Sequence, residues 1–150
     1  MNENNPIGIF DSGIGGLTVA KEIRSLLPNE GLLYFGDTKH LPYGEKSIHA
    51  IQEFSKNIAL FLKKKNCKMI VIACNTASSV AYETIKNECP NIEIVNVIDP
   101  IVKRITNNID KKNIGVIGTK GTINSNIYAQ KIKSINQKIS VKSLATPLGT

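Results

Sequence analysis

Short apolar runs alternate with longer amphipathic segments along most of this 150-residue chain. The run at 69–73 (Met-Ile-Val-Ile-Ala) is continuously hydrophobic, as expected for a strand in a sheet that is covered on both faces. In segment 47–65 apolar residues recur every three or four positions, which predicts a helix with one buried face. Strands that alternate with helices in this way predict βαβ units and a mostly parallel sheet.

The full pattern predicts an α/β fold in which helices cover both faces of a mostly parallel sheet, a three-layer αβα arrangement. The apolar runs predict strands at 7–10, 32–35, 69–73, 92–98, 114–117 and 139–144. The amphipathic segments predict helices at 16–27, 47–65, 76–88 and 122–135, with a further helix opened by Asp99-Pro100.

Bulk composition narrows the classes of function. No apolar run approaches the ~20 residues that cross a bilayer, and the polar segment 1–6 does not resemble a signal peptide, so we expect a cytoplasmic protein with no membrane partner. The net charge of +7 would suit nucleic acid, but the lysines are scattered. Their densest run, 63–65, complements the negative end of a predicted helix. We therefore expect no nucleic-acid partner.

The three cysteines are Cys67, Cys74 and Cys89. They form no CxxC pair, and no histidine lies near them at the spacing of metal ligands, so we expect free thiols and no metal site. If one of these cysteines has a functional role, we therefore expect that role to be chemical and not structural.

In open α/β sheets, ligands bind at the carboxyl ends of the strands. The first predicted strand is followed by Asp11-Ser12-Gly13-Ile14-Gly15-Gly16. This segment suits a loop that brings backbone N–H groups to a ligand, and equally a turn in which Asp11 or Ser12 caps the next helix.

The second strand is followed by Gly36-Asp37-Thr38 and then by Pro42-Tyr43-Gly44. Proline and glycine predict a structured turn here, with Tyr43 packed on the body of the protein. Both nearby histidines, His40 and His49, are expected to be exposed to solvent.

The third strand end carries the most informative motif, Ala73-Cys74-Asn75-Thr76-Ala77-Ser78. A helix that begins just after Cys74 would surround the thiol with backbone N–H groups, so we expect a lowered thiol pKa. Asn75 and Thr76 add side-chain donors suited to a carboxylate. The alternative is that Cys74 is a buried apolar residue and Asn75 only caps the helix.

The fourth strand end, Gly118-Thr119-Lys120-Gly121-Thr122, offers hydroxyl and N–H donors to an anion, or else forms a cap and a turn. The segment from Thr146 to Thr150 follows the last predicted strand and leads us to expect more chain beyond it.

Taken in order, the motifs resemble the glutamate racemase family of the aspartate/glutamate racemase superfamily. The resemblance implies a reaction without pyridoxal phosphate, metal or nucleotide. Two cysteines on opposite sides of the substrate α-carbon would remove and return its proton. The segments that carry the resemblance are Ile9-Phe10-Asp11-Ser12-Gly13-Ile14-Gly15-Gly16, Gly36-Asp37-Thr38, Pro42-Tyr43-Gly44, Ala73-Cys74-Asn75-Thr76-Ala77-Ser78 and Ile117-Gly118-Thr119.

Carried over residue by residue, the resemblance makes Cys74 one catalytic thiol. Asp11 and Ser12 would contact the substrate and order its ammonium group or the thiol. Tyr43, Gly44, Asn75, Thr76 and Thr119 would bind the amino acid, glutamate. Cys67 and Cys89 match no family motif and are expected to be structural.

The family's second cysteine lies in a Cys-Thr-His motif beyond position 150. We therefore expect residues 1–98 to form most of the first lobe of a two-lobe racemase and residues 99–150 to open the second. By itself this chain would then be an inactive fragment. The resemblance also implies a role in supplying D-glutamate for peptidoglycan. A homodimer and a non-catalytic module that binds an anion or an amino acid remain open alternatives.

Overall fold

The computed structural model describes residues 2–108 and 113–146. Most of the segment from Thr146 to Thr150, which led us to expect more chain, lies outside the described residues. Four parallel strands form the first sheet, in the order β2-β1-β3-β4. These strands are β1 (Ile7–Asp11), β2 (Leu32–Gly36), β3 (Met69–Ile72) and β4 (Glu93–Asn96). The predicted parallel α/β sheet is thereby confirmed.

Helices cover both faces of this sheet, which confirms the three-layer arrangement. Side chains of α1 (Leu17–Leu26) pack on one face of the sheet. On the other face, the main core includes residues of α2 (Ile48–Lys64), α3 (Asn75–Val80) and α4 (Tyr82–Glu88). This layering buries β1 completely, which explains why its first four residues, 7–10, carry no polar side chain.

Two short 3-10 helices, Thr38–His40 and Tyr43–Glu45, follow β2. The elements from Ile98 onward form a smaller unit around a separate apolar cluster of Ile98, Val102, Ile132 and Ile139. Its two strands pair in parallel. The elements of this unit are α5 (Ile98–Asn108), β5 (Asn113–Gly118), α6 (Lys120–Asn124), α7 (Ile127–Ile135) and β6 (Ser140–Ala145).

Two predicted helices are each divided in the structure. The segment predicted as one helix at 76–88 is divided at Ala81, whose φ of −117° departs from the helical value of about −63°. The predicted helix 122–135 is broken at Asn126, whose φ of 56° is left-handed. Asparagine tolerates that conformation better than most residues.

The boundary between β4 and α5 also differs from the prediction. The strand ends at Asn96 instead of Ile98, and the helix begins at Ile98. The cause is the Asn96 side chain, whose Oδ1 accepts hydrogen bonds from the backbone N–H groups of Ile98 and Asp99 at 2.9 Å each. This side chain satisfies donors of the first helical turn and so fixes where the helix starts.

Within the described part of the chain, no helix is both long and apolar enough to span a membrane.

Candidate active site

A cavity of about 650 Å³ opens at the carboxyl ends of β1 and β3, next to the turn that follows β2. The sheet register explains the position of the cavity. Phe10 of β1 lies beside Phe35 of β2 and Ile72 of β3, so the three strands end at the same edge of the sheet. The structure brings all the predicted site residues to the wall of this cavity: Asp11, Ser12, Tyr43, Gly44, Cys74, Asn75, Thr76 and Thr119.

Cys74 is held between the strand before it and the helix after it. It occupies the N-cap position of α3, where its Sγ accepts a hydrogen bond from the Ala77 N–H at 3.4 Å. Its S–H donates to the Ser12 hydroxyl, with 3.2 Å between Sγ and Oγ. The residue is only 7% exposed, yet it lines the cavity. The thiol is therefore both positioned and accessible from one side.

The expectation of a lowered thiol pKa is wrong. Burial raises the pKa of Cys74 above its ordinary value, because a thiolate loses hydration there. The Ala77 N–H and the Ser12 hydroxyl favour the thiolate, whereas the Asp11 carboxylate disfavours it. The expectation rested on the N-terminus of the following helix and left out the loss of hydration on burial. That helix, α3, is only six residues long.

The Asp11 carboxylate is anchored beside the thiol by neighbours in its own loop and in β2. Its Oδ2 accepts hydrogen bonds from the Gly16 N–H at 2.9 Å and from the Tyr34 hydroxyl at 3.2 Å. Burial and the nearby carboxylate raise the pKa of Tyr34 to about 12, so this hydroxyl keeps its proton at neutral pH. Asp11 is thus a fixed anion at the edge of the cavity.

Tyr43 contributes to the cavity wall mainly through its position, because its hydroxyl has another partner. That hydroxyl donates to Asp37 Oδ2 at 2.6 Å, and Tyr43 is only 2% exposed, as expected for a residue packed on the body. The same carboxylate is 2.8 Å from Nδ1 of His40, whose ring stacks on Phe54. His40 is therefore a half-buried partner of Asp37, contrary to the expected exposure, whereas His49 is exposed.

Three threonine hydroxyls join α3 to the smaller unit at the other side of the cavity. Oγ1 of Thr76 lies 2.9 Å from that of Thr119 and 3.3 Å from that of Thr122. Gly44 packs against this group so closely that an added Cβ would stand 2.7 Å from the Thr119 Cβ. The glycine therefore allows the 43–45 turn to approach the threonines.

Asn75 is exposed to the cavity, and its side-chain Oδ1 accepts a hydrogen bond of 2.6 Å from the Tyr128 hydroxyl on α7. Cys67 and Cys89 instead belong to the main core, 1% and 0% exposed, where burial raises the pKa of each thiol. Of the cysteines, all of which the structure describes, Cys74 alone lines the cavity.

A family profile described as Asp/Glu/Hydantoin racemase matches residues 12–146. The chain belongs to this racemase family. It is similar to glutamate racemase 3 of Caldanaerobacter subterraneus subsp. tengcongensis, with 50% identity over 143 residues that cover 95% of this chain and 51% of that protein.

Solved racemase structures have the same arrangement. Glutamate racemase from Francisella tularensis, in complex with D-glutamate, matches with a TM-score of 0.90 and 44% identity over 95% of this chain and 53% of that one. Glutamate racemase from Aquifex pyrophilus matches with a TM-score of 0.90 and 44% identity, over 95% and 56%. The chain thus spans about half the length of the relatives that it matches.

In this racemase-family chain, sequence reasoning missed three residues that hold predicted site residues in place: Tyr34, Thr122 and Tyr128. Tyr34 lies two positions before Gly36, inside a strand whose apolar pattern predicts only core. Tyr128 falls on the apolar stripe of α7, and its partner is distant in sequence. Thr122 belongs to the fourth strand-end motif, so its hydroxyl could have been predicted to lie near that of Thr119.

Proposed function

We propose that this chain is the N-terminal part of a glutamate racemase, an isomerase that interconverts L- and D-glutamate with two thiols and no cofactor. Cys74 is one of those thiols. The observation that carries the proposal is the hydrogen-bonded pair of Cys74 and Ser12, in a cavity lined by all eight residues that the resemblance assigns to the site. The names of the relatives, and the D-glutamate in the Francisella structure, support glutamate as the substrate.

The proposed protein has two lobes. Residues 1–98 form the first lobe, in line with the four-stranded sheet, and residues 99–150 open the second, in line with the two-stranded one. The second thiol belongs to a Cys-Thr-His segment in the half of the protein that this chain does not cover. The 150 residues alone are therefore expected not to racemise glutamate.

In the proposed reaction, the Cys74 thiolate removes the α-proton, so an S–H bond forms as the Cα–H bond breaks. The electron pair left on Cα spreads into the adjacent carboxylate. Asn75, Thr76 and Thr119 supply the N–H and O–H donors that stabilise this charge. The second thiol returns a proton to the opposite face, which inverts the configuration.

A residue that serves as acid in one direction and base in the other needs a pKa near the working pH, so the raised pKa of Cys74 favours the acid role and opposes the base role. At neutral pH the thiol predominates and is ready to donate, while Ser12 and the Ala77 N–H stabilise the thiolate needed for abstraction. Asp11 is the fixed anion available to the substrate ammonium group, and ion pairing with that group would relieve its repulsion of the thiolate.

The cellular role follows from the same proposal. The enzyme supplies D-glutamate for peptidoglycan, and so supports the cell wall and cell shape, in the cytoplasm. Its partner is a small molecule, with no nucleic acid and no membrane, and the complete protein is proposed to form a homodimer.

The test follows exchange of the glutamate α-proton in deuterium oxide by NMR, with L- and D-glutamate supplied separately to the 150-residue chain. We expect deuterium to enter one enantiomer with retained configuration. A second measurement asks whether glutamate protects Cys74 from iodoacetamide, with the labelled cysteine located by peptide mass spectrometry.

Cys74→Ser should abolish exchange, and Cys67→Ala, which removes a core thiol outside the cavity, should preserve it. Protection without exchange in the chain joined to its missing half would favour the alternative, a non-catalytic module that binds an amino acid. The absence of both protection and exchange would contradict the proposed function.

A further inference from the structure

Asn75 presents two chemically opposite ends at the cavity, and only one of them suits a carboxylate. Its amide NH2 donates hydrogen bonds, whereas its carbonyl oxygen accepts them and repels an anion. The residue directly follows Cys74, so the end that faces the cavity decides what can bind beside the thiol. Rotation of the side chain by half a turn would exchange the two ends.

The Tyr128 hydroxyl occupies the carbonyl end. It donates to Asn75 Oδ1 at 2.6 Å, across 53 positions of sequence. Burial raises the pKa of Tyr128, so the hydroxyl keeps the proton that it donates. Asn75 lines the cavity, and with its carbonyl oxygen bonded to Tyr128 the amide NH2 is the end available to a ligand.

Tyr128 is itself held firmly. Its ring packs against the apolar cluster of Ile98, Val102, Ile132 and Ile139. Three residues along α7, Lys131 makes an ion pair with Asp99 at 2.7 Å, and the Asn96 amide also donates to Asp99. These contacts anchor α7 to the start of α5, and thus to the end of β4.

We propose that Tyr128 is a positioning residue, which holds Asn75 with its amide NH2 toward the cavity so that a carboxylate binds next to Cys74. The residue need not touch the substrate, because it acts through Asn75. The inference rests on the proposed function only in taking the ligand to be the carboxylate of an amino acid.

The test compares two reagents that alkylate the same thiol and differ in charge. Iodoacetate carries a carboxylate and iodoacetamide does not, so the ratio of their rates at Cys74 measures recognition of the carboxylate. The ratio is normalised to that of N-acetylcysteine. A change in the pKa or the exposure of the thiol alters the alkylation rates of both reagents by the same factor, so it cancels in the ratio.

We expect the wild-type chain to prefer iodoacetate relative to N-acetylcysteine, and Tyr128→Phe to reduce that preference about fivefold, the value of one ordinary hydrogen bond. Asn75→Ala should reduce it at least as much. Tyr128→Phe combined with Asn75→Ala should reduce it no further than Asn75→Ala alone, since the tyrosine acts through the asparagine. Tyr82→Phe, on α4, is the matched control and should leave the ratio unchanged.

Should Tyr128→Phe not fold, NMR of the wild-type chain gives a second reading. The Asn75 side-chain NH2 protons should show nuclear Overhauser contacts to cavity residues and not to the Tyr128 ring; the opposite pattern overturns the inference. An unchanged ratio in folded Tyr128→Phe, or additive losses in the double variant, also overturns it and leaves the proposed function standing. The absence of any iodoacetate preference in the wild type would overturn both.

Discussion

The Cys74 thiol donates a hydrogen bond to the Ser12 hydroxyl, with 3.2 Å between Sγ and Oγ, although 62 positions separate the residues in sequence. The contact exists because β1 and β3 are neighbours in register, so the residues that follow them leave the sheet at one place. When the thiol loses its proton, the Ser12 hydroxyl can turn and donate to the thiolate. Ser12 thereby opposes the effect of burial on the thiol pKa.

Ser12→Ala should therefore raise the pKa of Cys74 further. A hydrogen bond to a charged group contributes about 1.5–3 kcal/mol, so near neutral pH the rate of alkylation by iodoacetamide should fall about tenfold. The measurement is the rate at Cys74 as a function of pH, whose midpoint should move upward. Ser47→Ala, which alters the exposed cap of α2, is the control and should leave the profile in place. An unmoved midpoint in Ser12→Ala would show that the hydroxyl does not stabilise the thiolate.

Much of the fold could be predicted from the sequence because apolar periodicity reports burial directly. The continuous run in β3 indicated a sheet covered on both faces, and the structure has that sheet. The divided helices were not predicted, because the breaks lie in the backbone conformations of Ala81 and Asn126. Neither feature disturbs the apolar spacing from which a helix is inferred.

The sequence predicted which residues would lie together at the cavity, but it did not predict the direction of the thiol pKa shift. Motifs at strand ends identified Cys74 and Thr119 because parallel strands bring their carboxyl ends to one edge. The sign of the Cys74 pKa shift was not predictable, because it depends on how completely the folded chain excludes water from the sulfur. Tyr128 was not predicted to be near the site, because its hydrogen bond to Asn75 spans 53 positions and exists only in the tertiary fold.

The adjacent glycines Gly15 and Gly16 should respond very differently to alanine. A Cβ at Gly16 would stand 2.8 Å from the Asp11 Cβ and 2.9 Å from the Ala73 Cβ, whereas at Gly15 it would meet nothing within 4 Å. Gly16→Ala should therefore lower the free energy of unfolding by about 1–3 kcal/mol. It should also disturb the hydrogen bond from the Gly16 N–H to Asp11.

Urea denaturation measures both variants, and Gly15→Ala is the matched control because it makes the same chemical change one residue away. We expect its free energy of unfolding to stay within about 0.5 kcal/mol of wild type. Equal losses in the two variants would mean that the loop responds to lost flexibility instead of to the contact with Asp11 and Ala73.

Tyr43→Phe should weaken the fold more than it affects Cys74. The variant removes the Tyr43 hydrogen bond to the buried Asp37 carboxylate, which retains its contact with His40. A hydrogen bond to a charged group contributes about 1.5–3 kcal/mol, so we expect a loss of that order. Because the hydroxyl is bonded to Asp37, the rate of Cys74 alkylation in the folded variant should change less than about twofold. Urea denaturation and alkylation are measured together, with Tyr82→Phe as the control. A large loss of alkylation with unchanged stability would assign the Tyr43 hydroxyl to the thiol instead.

Alkaline pH should destabilise the chain through its buried thiols. Burial raises the pKa of Cys67, Cys74 and Cys89 above the ordinary value of 9.0, so the folded chain holds these protons more tightly than the unfolded chain does. The stabilisation is fully present below the unfolded pKa and is lost as pH rises through the folded pKa. The free energy of unfolding, measured in urea at successive pH values, should therefore fall above about pH 9.

Cys67→Ala isolates one of these thiols, because burial is the cause of its raised pKa. At neutral pH the variant should lose about 1 kcal/mol, since the core loses the packing of the Sγ atom. Above about pH 9 the gap between wild type and variant should narrow, because the wild type also loses stability from the disfavoured thiolate while the variant has no thiol there to ionise. A gap that stays constant across this range would show that Cys67 ionises as easily in the folded chain as in the unfolded one.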